Sequence, residues 1–184
     1  MARQPEFAPK EQMKIAVFAD THDHVSMTQR AINFFNAAEV DLTIFAGDLV
    51  SPILTPTLRR LSSPLVACFG DNEGNRIGIT GGLRTVGTIA QGPIGVRTEG
   101  DLRILITHQL ELCRGFLDDA RIVIWAHTHR PGISRDSSGR LFVNPGETCG
   151  WVFGRPTVAL IETNPNDPSA TVARIIDLEP EPSL

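Results

Sequence analysis

One pattern recurs along this chain and limits what it can fold into: a short run of β-branched and aliphatic residues that stops abruptly at polar ones. Met13 to Ala19 stops at Asp20, Leu42 to Ala46 at Gly47-Asp48, Leu65 to Phe69 at Gly70-Asp71, Leu102 to Thr107 at His108, and Arg121 to Ala126 at His127. Runs this short, apolar at odd and even positions alike, predict strands buried on both faces. The segments between the first three runs have helical spacing. In the first, Ser26 is the expected cap, with Ile32, Phe34, Phe35 and Ala38 on the buried side. In the second, which holds Pro56, Leu58 and Leu61, Ser51 caps and Pro52 takes the first helical position. Strand, helix, strand, helix, strand predicts a parallel sheet.

After Asn72 the character changes. The Gly-rich segment from Ile77 to Gly100 contains the alternating stretches Thr85 to Ala90 and Ile94 to Thr98 and no helical period, which predicts a hairpin. A second hairpin is expected from Gly132 to Arg135 and Arg140 to Val143 around Asp136-Ser137-Ser138-Gly139, and two last strands through Thr157 to Ile161 and Ala170 to Leu178. A parallel half followed by an antiparallel half predicts two stacked sheets with helices outside.

With 184 residues, one domain is expected over 13–178, between a tail at 1–12 and a second at 179–184 that alternates acid and proline. A net charge of −4 gives no basic face for broad capture of nucleic acid. No apolar run exceeds about six residues, against the roughly 18 that a membrane span needs. The first dozen residues lack the apolar centre of a secretory signal, so the cytoplasm is the expected location. Three widely spaced cysteines, Cys68, Cys113 and Cys149, predict packed thiols and no disulfide framework.

The chemistry follows from where the polar residues fall. In open α/β sheets the ligand crevice lies beyond the carboxyl ends of the strands, so residues just after different strands converge. Here those positions hold Asp20, His22, Asp48, Asp71, His108, His127 and His129, which include four of the five histidines. Asp20 with His22, and His127 with His129, stand two apart, so extended backbone would point each pair the same way. Three carboxylates and four imidazoles exceed what one ion uses, which implies two metals with a shared carboxylate and a bridging water. Imidazole and carboxylate without thiolate suit Mn, Fe, Zn or Co better than Ca and do not choose among them. The expected cofactor is a pair of divalent ions, manganese first, with iron, zinc, cobalt or nickel as alternatives.

The order Asp20-Thr21-His22, Gly47-Asp48, Gly70-Asp71-Asn72, His108 and Ala126-His127-Thr128-His129, followed by Asn144-Pro145-Gly146, resembles the calcineurin-like metallophosphoesterase superfamily. Within it the chain is similar to the small phosphodiesterases related to the retromer subunit Vps29. The resemblance covers nearly everything between the tails. It implies the four-layer α/β/β/α sandwich of that family. It also implies a first metal on Asp20, His22, Asp48 and His129, with Asp48 bridging, and a second completed by Asp71, His108 and His127. The implied reaction is in-line attack of a metal-bridging hydroxide on a small phosphodiester, with Asp48, Asp71 and His108 as catalytic residues.

Two departures shape the expected activity. Asp71 stands where the family has asparagine, as in its retromer-like members; the added charge implies an alkaline-shifted activity. Asn72 replaces the histidine that serves as general acid in many phosphomonoesterases, which favours diesters with good leaving groups unless His24 donates the proton; a solvated loop role is the plainer one for His24. Asn72 and Arg130 are the candidate substrate contacts, although Arg130-Pro131 also fits a structural turn. Glu147 could pair with Arg130 or Arg155 or cap a turn. Cys149 to Phe153 fits an apolar wall beside the cleft, a subunit contact or, as the expected use of its rings, core packing. A scaffold of the same fold with little turnover is the alternative function, and a homo-oligomer is compatible with either.

Overall fold

A computed structural model describes residues 12–98, 101–164 and 167–178. The expected tails fall outside these residues apart from Gln12. In chain order the elements are β1 (Lys14–Phe18), α1 (Val25–Ala37), β2 (Leu42–Phe45), a 3-10 turn (Pro52–Leu54) running into α2 (Thr55–Leu58), and β3 (Leu65–Phe69). Next come α3 (Arg76–Leu83), β4 (Gly87–Gln91), β5 (Ile94–Arg97), β6 (Arg103–Ile106), a 3-10 turn (Leu110–Cys113) and β7 (Ile122–Ile124). The chain closes with β8 (Gly132–Arg135), β9 (Leu141–Asn144), β10 (Thr157–Glu162), a 3-10 turn (Pro168–Ala170) and β11 (Val172–Asp177).

Two mixed sheets stack face to face. One has the order β11-β10-β1-β2-β3-β4 and the other β5-β6-β7-β9-β8. Strand alternation explains why the runs are apolar at both parities. In β1, Ala16 and Phe18 face the helices while Ile15 and Val17 face the second sheet. In β6, Ile104 and Ile106 enter the same inter-sheet core while Leu105 turns outward onto Cys113 and Val123. Helices α1 to α3 cover the outer face of the first sheet. The outer layer beyond the second sheet is thin, built around the 3-10 turn that carries Cys113.

Several local expectations are corrected. Helix α1 starts one residue before Ser26, and His24 is its cap: its Nδ1 accepts from Met27 N at 3.5 Å, while Ser26 sits inside the first turn. Ser51 and Pro52 do start the second helical segment, as a 3-10 turn. Arg76–Leu83 is a helix that its glycines conceal from a periodicity reading; Asn75 caps it and Ile79 and Leu83, four apart, are buried. The expected hairpin of β4 and β5 does not form. β4 runs parallel to β3, β5 pairs antiparallel with β6 in the other sheet, and the chain crosses between them through the cis peptide Gly92–Pro93. Nor is the second half an antiparallel sheet: β6, β7 and β9 are parallel neighbours, and β10 and β11 join the first sheet. The β8–β9 hairpin forms as expected. Among the described residues no helix is long and apolar enough to cross a membrane.

Candidate metal centre

The carboxyl ends of β1, β2, β3, β6 and β7 open onto one crevice, where the loops after them place two groups of donors. Asp20, His22 and His129 offer ligand atoms within 4.8 Å of one another, and so do Asp71, His108 and His127. Asp48 lies between the groups, with Oδ2 3.6 Å from His22 Nε2 and Oδ1 3.4 Å from His108 Nε2. The pairs spaced two apart do not sit on extended backbone. Asp20, His22, Asp48, His127 and His129 all have positive φ, between 42° and 70°. The turn at His127 and His129 sends the two rings to different groups, so the expectation that they point the same way is corrected.

The donors are held by groups that fix their orientation. Glu73 Oε1 accepts from the backbone N–H of Asp48 at 2.8 Å and of Leu49 at 3.0 Å, fixing the turn after β2. Asp48 Oδ1 accepts from the N–H groups of Asp71 and Asn72, and Oδ2 accepts the Asn72 side-chain amide at 2.7 Å. Asn72 thus holds Asp48. Gly70 leaves room for this contact: a Cβ there would lie 2.1 Å from Asp48 Oδ1.

Two hydrogen bonds behind the rings fix which imidazole nitrogen faces the crevice. His108 Nδ1 lies 2.8 Å from the Ala46 carbonyl, and His129 Nδ1 lies 2.9 Å from the Glu147 carboxylate. Both oxygens only accept, so Nδ1 must donate, and Nε2 of each ring is turned to the site. His129 Nε2 meets His22 Nε2 at 3.3 Å. Two ring nitrogens that face each other at this distance need either a proton or a shared cation between them.

Charge points the same way. Both oxygens of Asp20 are buried without a hydrogen-bond partner, as is His108 Nε2, which lies 2.8 Å from Asp71 Oδ1 without hydrogen-bond alignment. Burial pushes the Asp20 carboxyl up to about 7, with the like charge of Asp48 adding to it. Burial lowers His22. For His108 burial works downward, but the nearby Asp48 carboxylate, the Ala46 carbonyl and the charge of Asp20 prevail and push it up to about 9. Asp48 is itself held well below the usual carboxylate range, because contacts with His108 and Asn72 outweigh its burial. A cavity that attracts positive charge and leaves carboxylate oxygens unpaired fits divalent cations.

Other expectations are settled by position. Glu147 is fully buried and pairs with neither arginine; it holds His129 and accepts from Val152 N and Phe153 N at 2.9 and 2.7 Å. Arg155 pairs with Asp177, and the Arg130 guanidinium lies 4.9 Å over the Phe153 ring. Trp151, Val152 and Phe153 are 63%, 59% and 48% exposed, so they do not pack in the core. Cys149 is buried and its thiol pushed up to about 12 by burial, which leaves it unreactive. Sequence reading missed Glu73 and Arg76. The first signals itself as an acid within Gly70-Asp71-Asn72-Glu73. The second stacks over Phe69, bonds Gln91, and lines a cleft of about 290 Å3 that also contains Asp71 and His108. A larger cleft of about 470 Å3 lies at the opposite pole, beside Arg103 and Arg121 at the starts of β6 and β7, away from every candidate ligand.

Comparison with known proteins gives concordant matches. The domain model described as the calcineurin-like phosphoesterase superfamily domain matches residues 13–166. Phosphodiesterase MJ0936 of Methanocaldococcus jannaschii is 32% identical over 160 residues, covering 82% of this chain and 93% of that protein. A probable metallophosphoesterase of Methanothermobacter thermautotrophicus is 32% identical over 170 residues, covering 89% and 86%. Among solved structures, an archaeal phosphodiesterase superposes with a TM-score of 0.80 at 30% identity, over 90% of this chain and all of that one. Zinc-complexed Vps29 of Entamoeba histolytica superposes with a TM-score of 0.62 at 17% identity, over 91% and 100%, a likeness of fold.

Proposed function

The chain belongs to the calcineurin-like phosphoesterase superfamily, and from that premise we propose that it is a phosphodiesterase working with two divalent ions, manganese first, on a small phosphate ester. Phosphoesterase chemistry and divalent metal use follow from the family. The observation that carries it is the unpaired, buried donor set: both Asp20 oxygens and His108 Nε2 lack hydrogen-bond partners inside the crevice. Asp20, His22, Asp48 and His129 would hold one ion, and Asp48, Asp71, His108 and His127 the other. Bound there, a pair of ions supplies an activated water and a positive clamp for the phosphoryl oxygens.

The chain's own residues do the rest. Glu73, Asn72 and the Asp71 N–H orient the Asp48 carboxylate, while the Ala46 carbonyl and Glu147 keep Nε2 of His108 and His129 directed inward. Arg130, exposed next to His129, supplies a cation for the ester's phosphate or flanking group. His24 is engaged as the cap of α1, and Asn72 carries no transferable proton. That leaves leaving-group protonation unassisted by these two residues and supports esters whose leaving alcohol is already acidic.

A scaffold with no turnover has no need of carboxylate oxygens buried without partners, so the donor set speaks against it. The test is elemental analysis of the purified protein alongside hydrolysis of bis(p-nitrophenyl) phosphate and p-nitrophenyl phosphate. The expected result is two equivalents of metal per chain, with diester turnover abolished by chelation and restored by manganese. Fewer than two equivalents and no turnover at any pH would overturn the proposal.

A further inference from the structure

We propose that Trp151, with Arg130 laid on Phe153, forms a stacking subsite for a flat aromatic group, a nucleobase or an aryl ring, carried by one arm of the phosphate ester. This rests on the phosphodiesterase reading and names its substrate class. Three consecutive large apolar side chains, Trp151, Val152 and Phe153, stand roughly half or more exposed, one glycine after buried Cys149. Their position is specific. The Trp151 ring lies 6.5 Å from the ring of His22, a candidate ligand, and 5.4 Å from that of His24, tilted by 30° and 35°. The indole therefore borders the crevice on the side of Asp20 and His22.

The wall is also built onto the ligand set. Glu147 accepts from Val152 N and Phe153 N with the same carboxylate that orients His129. A loop whose backbone is fixed in this way lowers the ordering cost of presenting the ring. Against the same loop, the Arg130 guanidinium lies 4.9 Å over the Phe153 ring, which sets a planar cation on the ring two residues from Trp151. The crevice floor holds the buried carboxylates of Asp20 and Asp48, which offer no grip to an uncharged ring, whereas the indole beside His22 does. The wall is small for a protein partner: three partly exposed side chains present a few hundred Å2 at most, against roughly 800 Å2 per partner in a stable complex.

The test compares three esters that share p-nitrophenol as leaving group and differ in the retained arm: thymidine 5′-(p-nitrophenyl) phosphate, phenyl p-nitrophenyl phosphate and methyl p-nitrophenyl phosphate. The protein should prefer the thymidyl or phenyl arm over methyl in kcat/KM by roughly 5- to 100-fold. Trp151→Ala should collapse that ratio toward one, and Trp151→Phe, which keeps a ring, should retain most of it. Calorimetric titration with thymidine monophosphate, phenyl phosphate and inorganic phosphate gives a readout without turnover: the aromatic-to-inorganic affinity ratio should fall in the Ala variant. Preference for thymidyl over phenyl identifies a nucleobase as the occupant, and equal preference a generic ring. If all three esters turn over at equal rates, or if the ratio survives Trp151→Ala, the subsite is refuted while the phosphodiesterase reading stands. If no ester turns over, that reading fails, and the affinity ratio alone decides the subsite. Loss of self-association in Trp151→Ala with unchanged ratios would make the wall a contact between copies and refute the proposal.

Discussion

Replacing Glu147 by Gln tests whether the candidate ligand His129 is held by the carboxylate beneath it. Glu147 is buried, and its two oxygens take three N–H donors: Oε1 accepts from Phe153 N at 2.7 Å, and Oε2 from His129 Nδ1 and Val152 N at 2.9 Å each. Glutamine keeps the shape but turns one oxygen into a donor. If the amide nitrogen takes the Oε1 place it confronts Phe153 N–H; if it takes the Oε2 place it confronts Val152 N–H and forces His129 to move its proton to Nε2, the atom aimed at Asp20 and His22. Each arrangement loses a charged hydrogen bond, worth about 1.5 to 3 kcal/mol, and strands a buried donor. A net loss of about 2 to 4 kcal/mol corresponds to a fall in Tm of roughly 5 to 15 °C at this chain length.

The same change should weaken manganese binding, measured by calorimetry, by about 10- to 100-fold, the usual effect of losing a partner behind a ligating histidine. There is also a pH signature. Burial alone would raise the Glu147 carboxyl, but His129 and the two backbone N–H groups more than offset it and hold it below its ordinary value. Its stabilising effect is therefore present above the unfolded carboxyl value, near 4.5, and lost as pH falls through the lower folded one. The Tm gap between wild type and Glu147→Gln should close in acid. A variant with wild-type Tm and wild-type manganese affinity at neutral pH would refute the reasoning, since the carboxylate would then not be what orients His129.

Gly70→Ala places a Cβ 2.1 Å from Asp48 Oδ1 and 2.6 Å from Asp48 N; it should lower Tm and abolish metal-dependent diester turnover, and an alanine variant with full turnover counts against the close approach described. Asp71→Asn removes one negative charge beside His108; at about 4 Å and an effective dielectric near 20 that charge is worth up to roughly 4 kcal/mol, so the acid limb of the pH–rate profile should move down by as much as about three units. An unmoved limb rules this out. The metal-free protein should lose stability between pH 6.5 and 9. His108, raised to about 9 as Asp48 overrides its burial, binds its proton more tightly folded than unfolded across that window, and Asp20, raised by burial from 3.8 to about 7, does so mainly below it, so raising the pH from 6.5 to 9 favours the unfolded chain. Scanning calorimetry in chelator across that range checks this, and a rising Tm is the contrary result.

What the sequence made legible was the set of strand ends. Apolar runs that stop at Asp20, Asp48, Asp71, His108 and His127 mark β1, β2, β3, β6 and β7, because a strand buried on both faces needs apolar residues at both parities and a crevice can form only where they cease. Helix α3 was hidden because Gly78, Gly81 and Gly82 erase the periodicity that Ile79 and Leu83 alone would show. Pairing across sheets was hidden too: β4 and β5 lie close in sequence, yet which sheet each joins is decided by tertiary packing.

The ligand geometry escaped for a different reason. Two residues apart means the same side only on extended chain, and Asp20, His22, Asp48, His127 and His129 are in the left-handed region, together with Asp23 and Val50 beside them. Such a backbone costs on the order of 1 kcal/mol per residue, more for β-branched Val50. Spread over seven residues in three loops, the total rivals the 5 to 15 kcal/mol by which a typical domain exceeds its unfolded state. At Asp20 the backbone bonds Gly47 and Cys149, but both carboxylate oxygens stay unpaired and offset none of this cost. Strained backbone and unpaired carboxylate oxygens concentrated in the same loops are therefore one feature, a cage whose folding cost is met by what binds inside it. That is why a pattern of residue types could announce the site while the conformation that aims them had to be seen.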